Sequence, residues 1–309
     1  MENYDLIILG AGPAGLTAQV YALRYNLKVL TIGSVVGGLM VEPHKICNWP
    51  GKVAISGQEL TQNMHEQIKA MNGQVLVDQV ETIKQVADGW QVDTKGKKSF
   101  LSRTVLLAMG TEHRKLGVPG ELDLMGKGVT YCATCDAMFY RGKTTAVVGG
   151  GNSAMTAALY LADICSKVYL IYRDVQLKGE QVWINELNER KNVVEVKETT
   201  ILSVAGTDKL EKIILDKPVE GSTELALDGL FVEIGTKPKT DLFKSVGGEV
   251  DEKDRIKVKV DQSTSLPGVW AAGDITNGSN GFRQILTACA EGAVAAENIH
   301  KFLQANPKT

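Results

Sequence analysis

The chain has 309 residues, enough for two domains of ordinary size, each with a core of its own. Its 44% hydrophobic and 23% charged content is that of a globular protein, and a net charge of −2 provides no global basic field, which argues against a nucleic-acid partner. No apolar run is long enough to cross a bilayer, and the first ten residues enter a strand without a signal-like lead, so no membrane partner and a cytoplasmic location are expected.

Asp5-Leu-Ile-Ile-Leu9 reads as a short buried strand. The turn Gly10-Ala-Gly12-Pro13-Ala14-Gly15 follows, then a helix over 16–25 and a second strand over 28–32: a βαβ unit with a glycine fingerprint at its first turn. Residues 58–71 form an amphipathic helix, with Leu60, Met64 and Ile68 at helical spacing. Residues 74–86 and 90–93 read as strands leading to a buried strand over 104–110, closed by Gly110, and Gly117-Val-Pro-Gly120 is a linker.

After Cys132-Ala-Thr-Cys135-Asp136 the opening arrangement returns. A strand over 144–148 meets the turn Gly149-Gly-Gly151-Asn152-Ser153-Ala154, a helix covers 153–163 and a strand 168–172. A break falls at Gly235-Thr-Lys-Pro-Lys239; Val269-Trp-Ala-Ala-Gly273-Asp274 and a helix over about 284–303 end the pattern. Each glycine turn follows a strand and opens a helix, the context in which backbone N–H groups can approach a pyrophosphate. Two such units imply two nucleotides and an α/β fold with two Rossmann-like dinucleotide-binding domains.

Five cysteines are odd in number and sparse, unlike a secreted disulfide framework. Cys165 and Cys289, each placed in a helix, read as inert thiols, and Cys47 as structural. Cys132 and Cys135 suit thiol–disulfide exchange, with Asp136 beside them to handle the proton. A zinc half-site is the alternative, but His44, His65, His113 and His300 are not paired with a cysteine motif, so no metal is expected. Asp274, at a strand end, suits either a carboxylate beside a ribityl chain or a helix-capping aspartate.

These segments, together with Gly37-Gly38, Asn48-Trp-Pro-Gly51, Gly128-Val-Thr-Tyr-Cys-Ala-Thr-Cys-Asp136, Gly229-Leu-Phe-Val-Glu-Ile-Gly235 and Arg283-Gln284, resemble the low-molecular-weight thioredoxin reductases nearly end to end. The resemblance implies an FAD domain built from residues 1–116 and 239–309, with a pyridine-nucleotide domain, 117–238, inserted and carrying the dithiol. It implies that Gly10, Gly12, Pro13, Ala14 and Gly15 hold the FAD pyrophosphate. Gly37, Gly38, Asn48, Val80, Gly110, Gly273, Asp274, Arg283, Gln284 and Ile285 would lie around the rest of the FAD. Gly149, Gly151, Asn152, Ser153, Ala154, Arg173, Lys178 and Gly235 would serve NADPH or NADH. Cys135 would be the flavin-side sulfur, Cys132 the thiol that attacks a thioredoxin-like partner, and Asp136 the acid–base group. The resemblance also implies a homodimer, and an inserted domain that rotates on twin hinges.

Three positions depart from the family. NADPH-using relatives carry a His-Arg-Arg-x-x-x-Arg cluster where this chain reads Tyr172-Arg173-Asp174-Val-Gln-Leu-Lys178. A carboxylate there repels a 2′-phosphate and tolerates the 2′-hydroxyl of NADH, and lysine lacks arginine's bidentate fork. Cys47 stands where an acid is common, and Ile32-Gly33-Ser34 offers no acid for the adenosine ribose, leaving Ser34 or the backbone. Other readings are a different disulfide acceptor, a ferredoxin or deazaflavin donor, and a low-turnover flavin redox sensor.

Overall fold

The computed structural model describes residues 2–307. Contacts divide them into two compact units: residues up to 112 together with those from 237 on, and residues 113–236. The chain crosses between them at 112/113 and 236/237.

In chain order the strands are β1 (Glu2–Leu9), β2 (Val29–Gly33), β3 (Gln74–Val77), β4 (Val80–Val86), β5 (Gly89–Thr94), β6 (Ser99–Leu107) and β7 (Thr111–His113). There follow β8 (Val129–Thr130), β9 (Thr144–Val148), β10 (Lys167–Ile171), β11 (Val193–Val196), β12 (Ile201–Ala205), β13 (Lys212–Val219), β14 (Ser222–Ala226), β15 (Gly229–Val232), β16 (Thr236–Pro238) and β17 (Val269–Ala271). The helices are α1 (Pro13–Arg24), α2 (Gly57–Ala70), α3 (Ala133–Asp136), α4 (Asn152–Ala162), α5 (Gln181–Asn188), α6 (Asp241–Ser245) and α7 (Ile285–Ala305).

The first unit is built on a parallel sheet in which β3, β2, β1 and β6 lie side by side and β17 pairs with β6. Leu6, Ile7, Ile8 and Leu9 of β1 are wholly buried, as a central parallel strand requires. The length of β6 serves two neighbours. Its N-terminal half pairs antiparallel with β5, which pairs with β4, and its C-terminal half pairs parallel with β17. The single strand expected over 74–86 is two strands, because Asp78 breaks it. Its Oδ1 accepts the N–H groups of Gln79 at 2.7 Å and Gly96 at 3.2 Å, turning the backbone out of the ladder. Helix α7 starts in a capping box between Gln284 and Thr287 and packs along α1 through Ala288, Ala295 and Ala296. A methyl group on Gly292 would stand 2.2 Å from the Ala14 carbonyl oxygen, which explains the small residues on that face.

The second unit repeats the plan. Strands β11, β10, β9, β15 and β8 form an all-parallel sheet in that order, with β12–β14 as an antiparallel meander. Cys165 lies in the turn after α4 rather than in a helix, because α4 ends at Ala162. Among the described residues no helix is long and apolar enough to cross a membrane.

Candidate active site

The two glycine turns are the same device built twice. Gly10 N–H donates to the Ile32 carbonyl at 2.7 Å, Leu9 C=O accepts from Ala108 N–H, and Ala11 C=O accepts from Gly37 N–H. In the second unit Gly149 N–H donates to Ile171, Val148 C=O accepts from Glu233 N–H, and Gly150 C=O accepts from Lys178 N–H. A Cβ on Gly12 would meet nothing nearer than the Gly37 carbonyl oxygen at 3.9 Å, and one on Gly151 nothing nearer than that of Lys178, also at 3.9 Å. Neither Gly12 nor Gly151, the residues before α1 and α4, contributes a side-chain cap to its helix. Each turn therefore presents open space before backbone N–H groups that a bound pyrophosphate can satisfy.

Around the first turn, Gly38 approaches the Cα of Gly12, and Gly110, at φ +61°, faces open space. Asn48 Nδ2 donates to Gln284 Oε1 at 3.0 Å, joining residues 236 positions apart. Ile285 and Trp49 pack on the cluster of Met40, Ile46, Ile55 and Leu60. Arg283 Nε is buried without a hydrogen-bond partner. A free donor, an open glycine cradle and an uncapped helix start suit a dinucleotide carrying pyrophosphate and polar ring edges, and so fit FAD. Ser34 is exposed directly after β2, and Val80 begins β4 with its side chain against the core of Tyr4, Ile32 and Ile83.

Asp274 stands at the end of β17, and burial pushes its carboxyl above the usual carboxylate range, opposed by Arg283 and Arg255. Two residues not found from sequence hold this corner. Glu291, only 6% exposed, accepts from Gly273 N–H at 2.7 Å and from the hydroxyls of Thr276 at 3.2 Å and Ser279 at 2.5 Å. Arg255 Nη1 donates to the Asp274 carbonyl. An acid inside the apolar run Ala288-Cys-Ala-Glu-Gly-Ala was the available signal for Glu291.

Cys132 and Cys135 form a disulfide with a Cα–Cα distance of 5.4 Å. Cys132 caps the short helix α3, its Sγ accepting the Cys135 N–H at 3.2 Å. The Thr130 hydroxyl donates to Asp136 Oδ2 at 2.5 Å and accepts from Cys132 N–H at 3.3 Å. Buried Glu121 gathers Leu116 N–H, Gly117 N–H and the Tyr131 hydroxyl within 2.8 Å, which ties the start of the unit to the residue before Cys132. Burial raises the thiols of Cys165 and Cys289, whereas free Cys47 is exposed. Mild alkylation before reduction is therefore expected to label Cys47 and spare Cys165 and Cys289, with Cys132 or Cys135 joining after reduction; peptide mass spectrometry reads the pattern.

Beyond the second turn, the Asp174 side chain is paired. Its Oδ1 holds Lys178 Nζ at 2.7 Å, and its backbone carbonyl accepts Glu198 N–H. Arg173 is exposed, and Asn152 is fixed by paired hydrogen bonds to Glu180. Gly235, at φ +90°, faces open space.

The family model for pyridine nucleotide-disulphide oxidoreductases matches residues 4–292. The chain belongs to this family. Within the pyridine nucleotide-disulphide oxidoreductases it is 36% identical to a thioredoxin reductase of Listeria innocua, over 97% of this chain and 94% of that one. It is similar to the crystal structure of Lactococcus lactis thioredoxin reductase at a TM-score of 0.92, with 31% identity over 98% of this chain and 99% of that one. A ferredoxin-flavin thioredoxin reductase from Clostridium acetobutylicum matches at a TM-score of 0.54, with 33% identity over 99% of this chain and 100% of that one.

Proposed function

We propose that this oxidoreductase passes an electron pair from NADH, through FAD, to the Cys132–Cys135 disulfide and on to a thioredoxin. The chain is a thioredoxin-disulfide reductase. The observation that carries this reading is the closed Cys132–Cys135 pair next to a hydrogen-bonded Asp136, in a chain with two open glycine turns. Bound at the first turn, FAD supplies the two-electron exchange between nucleotide and disulfide.

The dithiol's own chemistry follows from its contacts. The Cys135 N–H is aimed at Cys132 Sγ, a contact that steadies charge developing on that sulfur and supports Cys132 as the attacking one. Cys132 Sγ bonds to one acceptor sulfur, the acceptor S–S bond breaks, and the leaving thiolate takes the Cys132 proton. Cys135, having given its proton to Asp136, then attacks Cys132 Sγ. The original disulfide re-forms, and the second acceptor thiolate takes the proton from Asp136. Two electrons and two protons leave the protein.

The Asp174–Lys178 pair supports NADH as donor. It engages Lys178, one of the cations a 2′-phosphate would use, and the Asp174 carboxylate beside it is a group that accepts from a ribose 2′-hydroxyl. Anaerobic flavin reduction is expected to be faster with NADH than with NADPH by about tenfold or more, and Asp174→Arg is expected to narrow or reverse the ratio. If neither nucleotide reduces the flavin, the donor assignment fails in favour of a ferredoxin or deazaflavin. Sustained turnover with a thioredoxin distinguishes a reductase from a redox sensor. A cytoplasmic homodimer belongs to the same reading: exposed free Cys47 suits a reducing compartment, and Phe282, Leu286 and Val294 leave apolar surface on and beside α7. Sedimentation at micromolar concentration tests the dimer.

A further inference from the structure

We propose that Thr130 is a positioning residue for proton transfer at the dithiol, holding Asp136 in place between the cysteine motif and a water-accessible cleft. The inference rests on the reading of Asp136 as the acid–base group.

Thr130 is 7% exposed at the end of β8, and its hydroxyl is used in both directions. It accepts the Cys132 N–H at 3.3 Å and donates to Asp136 Oδ2 at 2.5 Å. A single side chain therefore couples the backbone of the attacking cysteine to the carboxylate that handles the proton. With Oδ2 engaged by the hydroxyl, Oδ1 is left for exchange with a thiol.

Thr130 and Asp136 both line a cleft of about 300 Å³, together with Tyr140, Asp228, Lys127, Lys143 and Lys209. That volume holds several waters at roughly 30 Å³ each. Asp228 Oδ2 accepts the Thr144 N–H at 3.1 Å. Burial, with Asp136 and Asp228 adding to it, raises the Tyr140 phenol, so it stays protonated near neutrality. Asp136 therefore links the dithiol to water, with Thr130 setting its orientation.

Without the hydroxyl, Asp136 loses the contact that joins its carboxylate to the Cys132 backbone. The test compares Thr130→Val, Thr130→Ser and Asp136→Asn as FAD-loaded proteins, first reduced, then reoxidised by a thioredoxin in single turnover. Thermal melting checks folding. Thr130→Val is expected to slow reoxidation about tenfold near neutrality, the size of one hydrogen bond to a charged group. Thr130→Ser is expected to rescue it to within about twofold of the parent, because it keeps the hydroxyl. Asp136→Asn is expected to slow reoxidation at least as much as Thr130→Val. If Thr130→Val reoxidises like the parent while Asp136→Asn is slow, the positioning role is overturned and the acid–base reading stands. A serine variant that behaves like valine also overturns it. If Asp136→Asn reoxidises like the parent, the reading of Asp136 itself fails, and the role of Thr130 with it.

Discussion

Replacing Cys135 with serine is expected to end disulfide turnover, by on the order of 10³-fold or more, while the protein still binds FAD. The loss follows from the chemistry, because without the second sulfur the mixed disulfide formed by Cys132 has no internal thiol to resolve it. Cys135→Ser is therefore expected to form a mixed disulfide with the acceptor thioredoxin that only the acceptor's own second thiol can reverse, and that alkylating that thiol traps. Cys132→Ser is expected to lose turnover to the same extent without trapping the acceptor. Nonreducing electrophoresis after mixing with a thioredoxin distinguishes the two, and trapping by Cys132→Ser instead would reverse the assigned roles. The fold should survive either change. The cysteines are three positions apart, and a disulfide closing so short a loop contributes only about 2 kcal/mol in the chain-entropy account. The cores of the second unit, around Ile171, Ile213, Leu230 and Phe231, are separately buried.

What was legible in the sequence was local. A glycine turn between a strand and a helix needs no distant partner, so both fingerprints, the helices that follow them and the Cys132-to-Asp136 motif could be read from adjacent residues. The architecture they imply agrees with the two largest sheets among the described residues, one in each unit. What escaped depends on partners that sequence does not place side by side. Reading 74–86 as one strand missed the break at Asp78, because one of the N–H groups that its carboxylate gathers belongs to Gly96. Thr130 reads as an ordinary β-branched strand residue until α3 brings Asp136 back onto its hydroxyl. Gly117 read as linker punctuation, yet its N–H and that of Leu116 are committed to buried Glu121, and the chain crosses between units a few residues earlier. Asp174 and Lys178 were both singled out, but only their 2.7 Å pairing shows that Lys178 is held by Asp174 while Arg173 stays exposed.

Gly15→Ala is expected to weaken FAD binding by about 10- to 100-fold and to destabilise the first unit by about 1–3 kcal/mol, the cost of forcing a methyl group into close-packed backbone. A Cβ built on Gly15 lies 1.9 Å from the Gly10 carbonyl oxygen. That oxygen belongs to the turn itself, so the strain cannot be relieved by moving a flexible side chain. Either α1 withdraws from β1 or the turn deforms, and each disturbs the N–H groups facing the cradle. The second unit provides an internal control. At the corresponding position it carries Ala154, wholly buried, with the methyl accommodated by its own turn. Ala154→Gly is therefore expected to cost no more than about 1 kcal/mol, the entropic penalty of glycine near a helix start, and to leave FAD affinity unchanged. Fluorescence titration of apoprotein with FAD and thermal melting of both variants measure the contrast. If Gly15→Ala binds FAD as tightly as the parent, the turn at Gly10–Gly15 is not what holds the pyrophosphate, and the flavin must be sought elsewhere in the first unit.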